Sequence, residues 1–380
     1  MSACAPCLRR SALIGFLAAP IASLLESGRR APGILALPDE QLVEVVGNAW
    51  RDRAVAAIER FDPDVARASV EDAGLFAVCR HDPGYPPKLG ELSDGPTVIY
   101  GAGAQSRLRE LVAEPAVAIV GARRASAYGL EVARELARGL SAARVTVVSG
   151  MALGIDAAAH RGALDSGANT VAVLACGVER AYPRTNRALY ERVVEHGVVL
   201  GELPPRTPPR RWTFPARNRI MAGLAEATVV VEAAERSGSL ITARFAEDLG
   251  REVAAVPGRV TSRMAAGSNR LLYDGAHVIR DAADVLDVLF GAGGWKGRGG
   301  APDGAPGPRA AAGPGTAASL DPHLRRVLDA IEGGDSPEDA GRRAGLGAAE
   351  ARAALGRLEL LGLVRRDGLG AYERCAHAAP

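Results

Sequence analysis

The sequence predicts an α/β fold built on a buried parallel sheet with helices on both faces. Short β-branched runs recur between residues 117 and 279, amphipathic stretches separate them, and turn residues flank nearly every run. The runs are continuously apolar rather than alternating, as strands covered on both faces must be.

In chain order, Val117–Val120 precedes a helix over 126–142, and Val145–Val148 precedes one over 154–166. Thr170–Leu174 precedes a helix over 184–196, and Val198–Leu200 follows it. Thr228–Glu232 leads into a helix over 240–250, then Val253–Val256, with His277–Ile279 as the last strand. This block, residues 82–290, reads as an extended Rossmann-like domain.

Residues 1–81 read as a small helical N-terminal domain broken at Pro20, Pro32-Gly33, Pro38 and Pro63. Leu35, Leu37, Leu42, Val43, Val46 and Trp50 are its candidate core. The run His81-Asp82-Pro83-Gly84-Tyr85-Pro86-Pro87 is a rigid connector, and Val98-Ile99-Tyr100 begins the next element. Residues 291–319 are Gly, Ala and Pro with almost no large apolar side chain, which predicts a disordered linker. Beyond it, 320–380 predicts a winged-helix-like domain. Its helices fall near 322–331, 337–344 and 347–361, with Leu355, Leu358 and Leu361 inward and a hairpin over 363–372.

A length of 380 residues suits two or three domains. The net charge of +2 gives no global basic field, so any nucleic-acid grip must be a local patch. Residues 96–290 hold 24 arginines against 20 acids, whereas 320–374 hold nine against ten. The last domain is thus poorly charged for DNA, and a protein-contact role suits it at least as well. Lys88 and Lys296 are the only lysines, so an arginine here says less than usual about guanidinium chemistry.

Cysteines stand at 4, 7, 79, 176 and 375. Cys4 and Cys7 form a CxxC, but no second Cys or Cys/His pair lies nearby in sequence to complete a zinc site, so no metal is expected. A reducing compartment fits. Arg9-Arg10 followed by Ser11–Ala19 imitates a signal peptide. The spacing of Leu8, Ile14, Leu17, Ile21 and Leu24-Leu25 favours an amphipathic first helix instead. No stretch is long and apolar enough to span a bilayer, and a cytoplasmic location is expected.

In an open parallel sheet, ligands bind where strand carboxyl ends meet helix N-termini. There lie Gly121-Ala122-Arg123-Arg124-Ala125-Ser126, Ser149–Asp156 with Gly150 leading, Cys176-Gly177, and Glu232 followed by Ser237-Gly238-Ser239-Leu240-Ile241-Thr242. One such loop is explained by tight turns alone. Four on one edge, one carrying Arg123, favour an anionic ligand. No GxGxxG and no GK[ST] occur, which disfavours a simple NAD or ATP site and any cofactor. Residues 203–219 carry five arginines, no acid, and the rings Trp212 and Phe214 on a proline-rich stretch read as extended. Cations interleaved with rings suit a single-strand groove. A solvated basic loop anchored by its two rings fits the residues equally well. Asp156 and His160 sit four apart, yet a helix-start Asp with a structural His explains them better than an acid/base dyad. Glu232 is a second candidate catalytic carboxylate, but it has no evident nucleophile. No catalytic residue is assigned.

The run Val148–His160 resembles the DNA-processing protein A family (DprA, also called Smf). So do Tyr182-Pro183 with Asn186, Phe214–Ile220, Glu232 with Ser237–Arg244, Val256-Pro257-Gly258 and Gly275-Ala276. The resemblance covers about residues 82–290. It implies a non-enzymatic protein that binds single-stranded DNA in a basic pocket, forms a homodimer, and loads the RecA recombinase while protecting incoming DNA in natural transformation. Carried onto this chain, the pocket would include Gly121, Arg123, Ser126, Gly150, Arg211 and Phe214, with Arg217, Asn218 and Arg219 beside them. Ser237, Gly238, Ser239 and Thr242 would complete its rim. Ala122 stands where the family commonly has Ser, and Arg211 where Lys is frequent. The rival is a Rossmann enzyme resembling nucleotide-cleaving phosphoribohydrolases. Its PGGxGTxxE loop is matched here only by Glu232–Ser239, without the paired glycines or the catalytic Glu.

Overall fold

The computed structural model describes residues 3–26, 31–295, 321–332, 336–360, 363–366 and 372–374. The chain divides into two compact units, Met1–Ala305 and Pro306–Pro380.

The first unit begins with helices α1 (Ala5–Phe16), α2 (Ala18–Glu26), α3 (Ala31–Leu35), α4 (Asp39–Val45), α5 (Asn48–Glu59) and α6 (Pro63–Asp72). Leu13, Ile14, Leu17, Ile21, Leu35, Leu42 and Val43 are buried together, with Leu37 and Trp50 packed partly against them. No single helix among the described residues is long and apolar enough to cross a membrane. α1 and Ala18–Leu24 pass that test only as a pair, bent by 59°. Their apolar face is spent on this core, so the signal-like composition at the N-terminus has a packing explanation.

The sheet follows: β1 (Phe76–Cys79), α7 (Pro87–Gly90), β2 (Val98–Ala102), α8 (Gln105–Ala113), β3 (Ala116–Val120), α9 (Ala127–Ala142), β4 (Thr146–Ser149), α10 (Ile155–Leu164) and β5 (Thr170–Leu174). Next come a 3-10 turn over Arg184–Asn186, α11 (Arg187–His196), β6 (Val198–Gly201), α12 (Thr213–Leu224), β7 (Ala227–Val230) and α13 (Ser239–Asp248). The unit ends with β8 (Glu252–Ala255), α14 (Ala266–Tyr273), β9 (His277–Val278) and α15 (Ala282–Phe290). The nine strands run in the order β1-β2-β6-β5-β4-β3-β7-β8-β9. Those from β6 to β9 pair in parallel, while β1–β2 and β2–β6 are antiparallel. The sheet is therefore mixed at one edge rather than wholly parallel: β1 and β2, linked through the Pro-rich connector and α7, form an antiparallel pair that joins β6 antiparallel.

Strand residues alternate between two cores. Val120, Val148, Val173 and Val230 pack with α8, α12 and α13. Ile119, Val147 and Val229 pack with α9, α10 and α15. At the β2 end, Tyr100, Ala172 and Val199 pack with α1, α6 and α11. Sequence order reverses across β3 and β7, so the ligand crevice of an open sheet is expected at their carboxyl ends.

One expectation fails inside 203–219. Only the first part is irregular, and Thr213 onward is α12. Pro215 is compatible because it stands in the first turn, where an N–H has no intrahelical partner to lose. Of the linker, residues 291–295 are described. Trp295 is buried there, its indole donating to Asp287 Oδ1 at 2.8 Å. The rest of that stretch lies outside the described residues.

The second unit holds α16 (Pro322–Glu332), α17 (Pro337–Arg343), α18 (Ala348–Leu360), and the antiparallel strands β10 (Val364–Arg366) and β11 (Tyr372–Arg374). Leu324, Val327, Leu328, Leu355 and Leu358 form its core. Leu361 lies outside the described residues.

Candidate nucleic-acid interface

The loops after β3, β4, β5 and β7 gather at one edge of the sheet. The β3 and β7 loops are joined by Ala122 N donating to Glu232 O at 2.7 Å, and the β4 loop by Ile155 N donating to Ala122 O at 3.2 Å. Gly121 is required here, since a Cβ would lie 2.6 Å from Ile155 Cγ1.

Glu232 is buried, and its Oε2 accepts the backbone N–H of Ser126 at 2.7 Å. Ser126 in turn caps α9, its hydroxyl accepting from Gly129 N at 3.1 Å. A carboxylate thus occupies the helix N-terminus that receives a pyrophosphate in dinucleotide-binding folds. Glu232 is thereby held in place by the start of α9.

The exposed face of the site lies outside that plug. Arg123 leaves the β3 loop and places its guanidinium 5.2 Å from the centre of the Phe214 ring. Phe214, half-buried in the first turn of α12, lies 5.8 Å from the exposed Tyr182 ring, the planes tilted by 47°. Arg211 is exposed just before α12. Among the described residues no carboxylate pairs with Arg123 or Arg211. Two rings and a cation from three segments therefore share one surface. Trp212 behaves differently: it is buried, and its indole N–H donates to Ala18 O at 2.9 Å. The basic stretch is anchored by one ring and presents the other.

Residues 217–219, expected beside the pocket, lie inside. Arg217 donates from Nη1 to Gly150 O and Val173 O, both at 2.6 Å, tying the ends of β4 and β5 to α12. A Cβ on Gly150 would strike that guanidinium, so the β4 loop has glycine where the arginine passes. Burial works against charge on both Arg217 and its neighbour Asp156. It lowers the first pKa and raises the second, while each opposes the shift of the other. A guanidinium keeps its proton regardless. Arg219 is wholly buried, paired with Asp94 at 3.1 Å and Glu202 at 2.8 Å. Asn218 is buried and donates to Gly238 O at 3.2 Å, holding the β7 loop.

In that loop Ser237 and Ser239 hydroxyls bond each other at 2.7 Å, and Gly238 is exposed. Thr242 is fully buried, so its hydroxyl does not line the surface. Asp156 and His160 do not pair. Asp156 accepts from Ala152 N at 3.3 Å, and His160 Nδ1 lies 2.8 Å from Thr170 Oγ1. Burial pushes the His160 pKa down to about 3. The sequence-derived set thus divides. Arg123, Ser126, Arg211, Phe214, Ser237, Gly238 and Ser239 reach the surface to differing degrees, while Gly150, Arg217, Asn218, Arg219 and Thr242 form the frame beneath. Tyr182 was not among the candidates. Its signal was an aromatic before Pro183 in the β5 loop.

The family model for DNA recombination-mediator protein A matches residues 76–290, more than half of the chain. A putative DNA processing protein DprA from Mycobacterium tuberculosis is 50% identical over 194 residues, 51% of this chain and 49% of that protein. The chain therefore spans about half the length of that relative. The X-ray structure of DNA processing protein A from Streptococcus pneumoniae matches with a TM-score of 0.60 at 30% identity, covering 75% of this chain and 98% of that one. The Helicobacter pylori protein, described for its single-stranded DNA binding mode, matches with a TM-score of 0.51 at 28% identity, covering 57% of this chain and 95% of that one. With the mixed sheet, the loop order and the matched span in agreement, the chain belongs to the DNA recombination-mediator protein A family.

Proposed function

We propose that the chain binds single-stranded DNA along the carboxyl edge of its sheet and acts in DNA processing and recombination. The observation that carries this reading is the Arg123–Phe214–Tyr182 arrangement, a cation over one ring with a second, exposed ring beside it. Rings stack on unpaired bases, and the guanidiniums of Arg123 and Arg211, paired with no carboxylate among the described residues, meet backbone phosphates. A duplex offers no free base faces to such rings. The Helicobacter pylori relative, named for its binding of single strands, supports the same reading.

On this reading the protein is not an enzyme, in keeping with Glu232 held at the α9 N-terminus and His160 neutral in the core, which also weakens the phosphoribohydrolase reading. From the family resemblance we extend the role to protecting incoming DNA and loading RecA in natural transformation, as a cytoplasmic homodimer. The C-terminal unit, winged-helix-like in its element order, is assigned to protein contact because its charge is close to neutral.

The test is a titration of labelled single strands and of blunt duplex against the purified protein. Preference for the single strand, lost in Phe214→Ala and Arg123→Ala, is expected. Equal or tighter duplex binding would overturn the reading, and nucleoside release from a nucleotide would favour the enzyme.

A further inference from the structure

Away from the DNA edge, the fold assembles a group that is invisible along the sequence. Cys4 stands at the N-cap of α1 and Cys7 one turn in, while Cys79 ends β1 and His81 follows two residues later. The Sγ atoms of Cys4, Cys7 and Cys79 and a ring nitrogen of His81 all lie within 4.8 Å of one another. Cys4 Sγ and Cys7 Sγ are each 3.4 Å from His81 Nδ1. A tetrahedral zinc centre with bonds of about 2.0–2.3 Å has edges of about 3.5–3.8 Å, so these separations are close to those of a ligand shell.

We infer that Cys4, Cys7, Cys79 and His81 form a structural Cys3His site for a zinc-class divalent cation, pinning α1 to the β1 edge of the sheet. Three thiolates and an imidazole are the soft donor set that selects zinc over hard cations. Cys7 and Cys79 are buried, Cys4 is half-buried and His81 exposed, so the cluster sits at the rim of the core, where an ion has an entry path. Four protein ligands complete a tetrahedron and leave no position for a reactive water, which makes the role structural. On binding, the three thiols release their protons to solvent and His81 coordinates through Nδ1, leaving a net charge of −1 on the centre. The positive end of α1, beginning at Cys4, faces that charge favourably.

The CxxC alone is incomplete, and its partners arrive through tertiary structure. The bond network would join residue 7 to residue 79, closing the whole helical segment against the sheet. A disulfide among the three cysteines is the competing chemistry. It would consume two ligands and leave no site.

The full chain, purified under reducing conditions with zinc present, is expected to retain one zinc per chain. Its X-ray absorption spectrum should show a shell of three sulfurs and one nitrogen. Cys7→Ser and Cys79→Ser should lose stoichiometric zinc, whereas Cys176→Ser, at a buried cysteine outside the group, should keep it. Absence of stoichiometric metal in the wild type, a shell of nitrogen and oxygen only, an iron or copper centre, a native disulfide among these residues, or retention of zinc by both ligand variants would each overturn the assignment. The wild-type spectrum decides the matter even where a variant fails to fold.

Discussion

The side chain of Glu232 accepts the backbone N–H of Ser126 at 2.7 Å, so the chain supplies its own acceptor to the N-terminus of α9. A Cβ at Gly129 would lie 2.6 Å from Glu232 Oε2, and glycine there is what lets the acid approach. Any external phosphate must therefore bind outside the plug, toward Arg123.

Glu232→Ala should destabilise the first unit by about 1–3 kcal/mol, since it leaves the part-buried Ser126 N–H without its acceptor. Glu232→Gln should recover part of the loss, because an amide oxygen still accepts that bond. Urea unfolding of both variants measures this. If Glu232→Gln instead abolished a nucleotide-cleaving activity with stability intact, the structural role would be wrong.

Phe214→Ala should weaken single-strand binding by about 1–3 kcal/mol with little change in its salt dependence. Arg123→Ala should cost a similar amount and flatten the log–log salt slope by about 0.7, the counterion share of one phosphate on a single strand. Titrations across salt separate the two. Abasic and normal strands binding alike would remove the stacking role.

Arg217→Ala and Arg219→Ala should act through stability. The second leaves the partly buried Asp94 and Glu202 without their cation, a loss of up to about 3–5 kcal/mol. Thermal unfolding without DNA should show it. A folded Arg219→Ala protein with weakened binding would return that residue to the interface.

Stability should also carry a signature of His160. Its folded pKa of about 3 lies below the ordinary 6.5, so the unfolded chain binds the extra proton first. The contribution is fully present above about pH 6.5 and declines at up to about 1.4 kcal/mol per pH unit as pH falls toward 3. Asp156, whose pKa burial raises, works in the opposite direction at the acidic end. Comparing urea midpoints of wild type and His160→Gln between about pH 7.5 and 5 isolates the histidine. Parallel curves would mean that it takes up a proton as readily in the fold as in the unfolded chain.

Much of the central sheet was legible because its strands are buried on both faces and read as unbroken apolar runs. Val117–Val120 and Thr170–Leu174 fall within a residue of β3 and β5. The antiparallel edge was not legible, since Phe76–Cys79 is too short to signal its partner. Proline density made 213–219 look extended, although Pro215 sits where a helix tolerates it. The family resemblance, with the density of cations in 203–219, placed Arg217 and Arg219 with Arg123 and Arg211. Only packing tells a frame arginine, satisfied by carbonyls and carboxylates, from one left for a ligand. The Cys3His group escaped for a similar reason, its halves lying far apart along the chain.

The anchoring of Trp212 to Ala18 has a consequence for how tightly a strand can be held. A single residue, Thr213, separates that indole from the ring proposed to meet a base, so that surface inherits its rigidity from the helices of the N-terminal segment. A surface already ordered before the ligand arrives forfeits less entropy on binding. Loosening the helical segment, by Trp212→Ala or by truncation, should therefore show as faster dissociation and as quicker amide exchange across 206–216, even though no atom that touches DNA has changed.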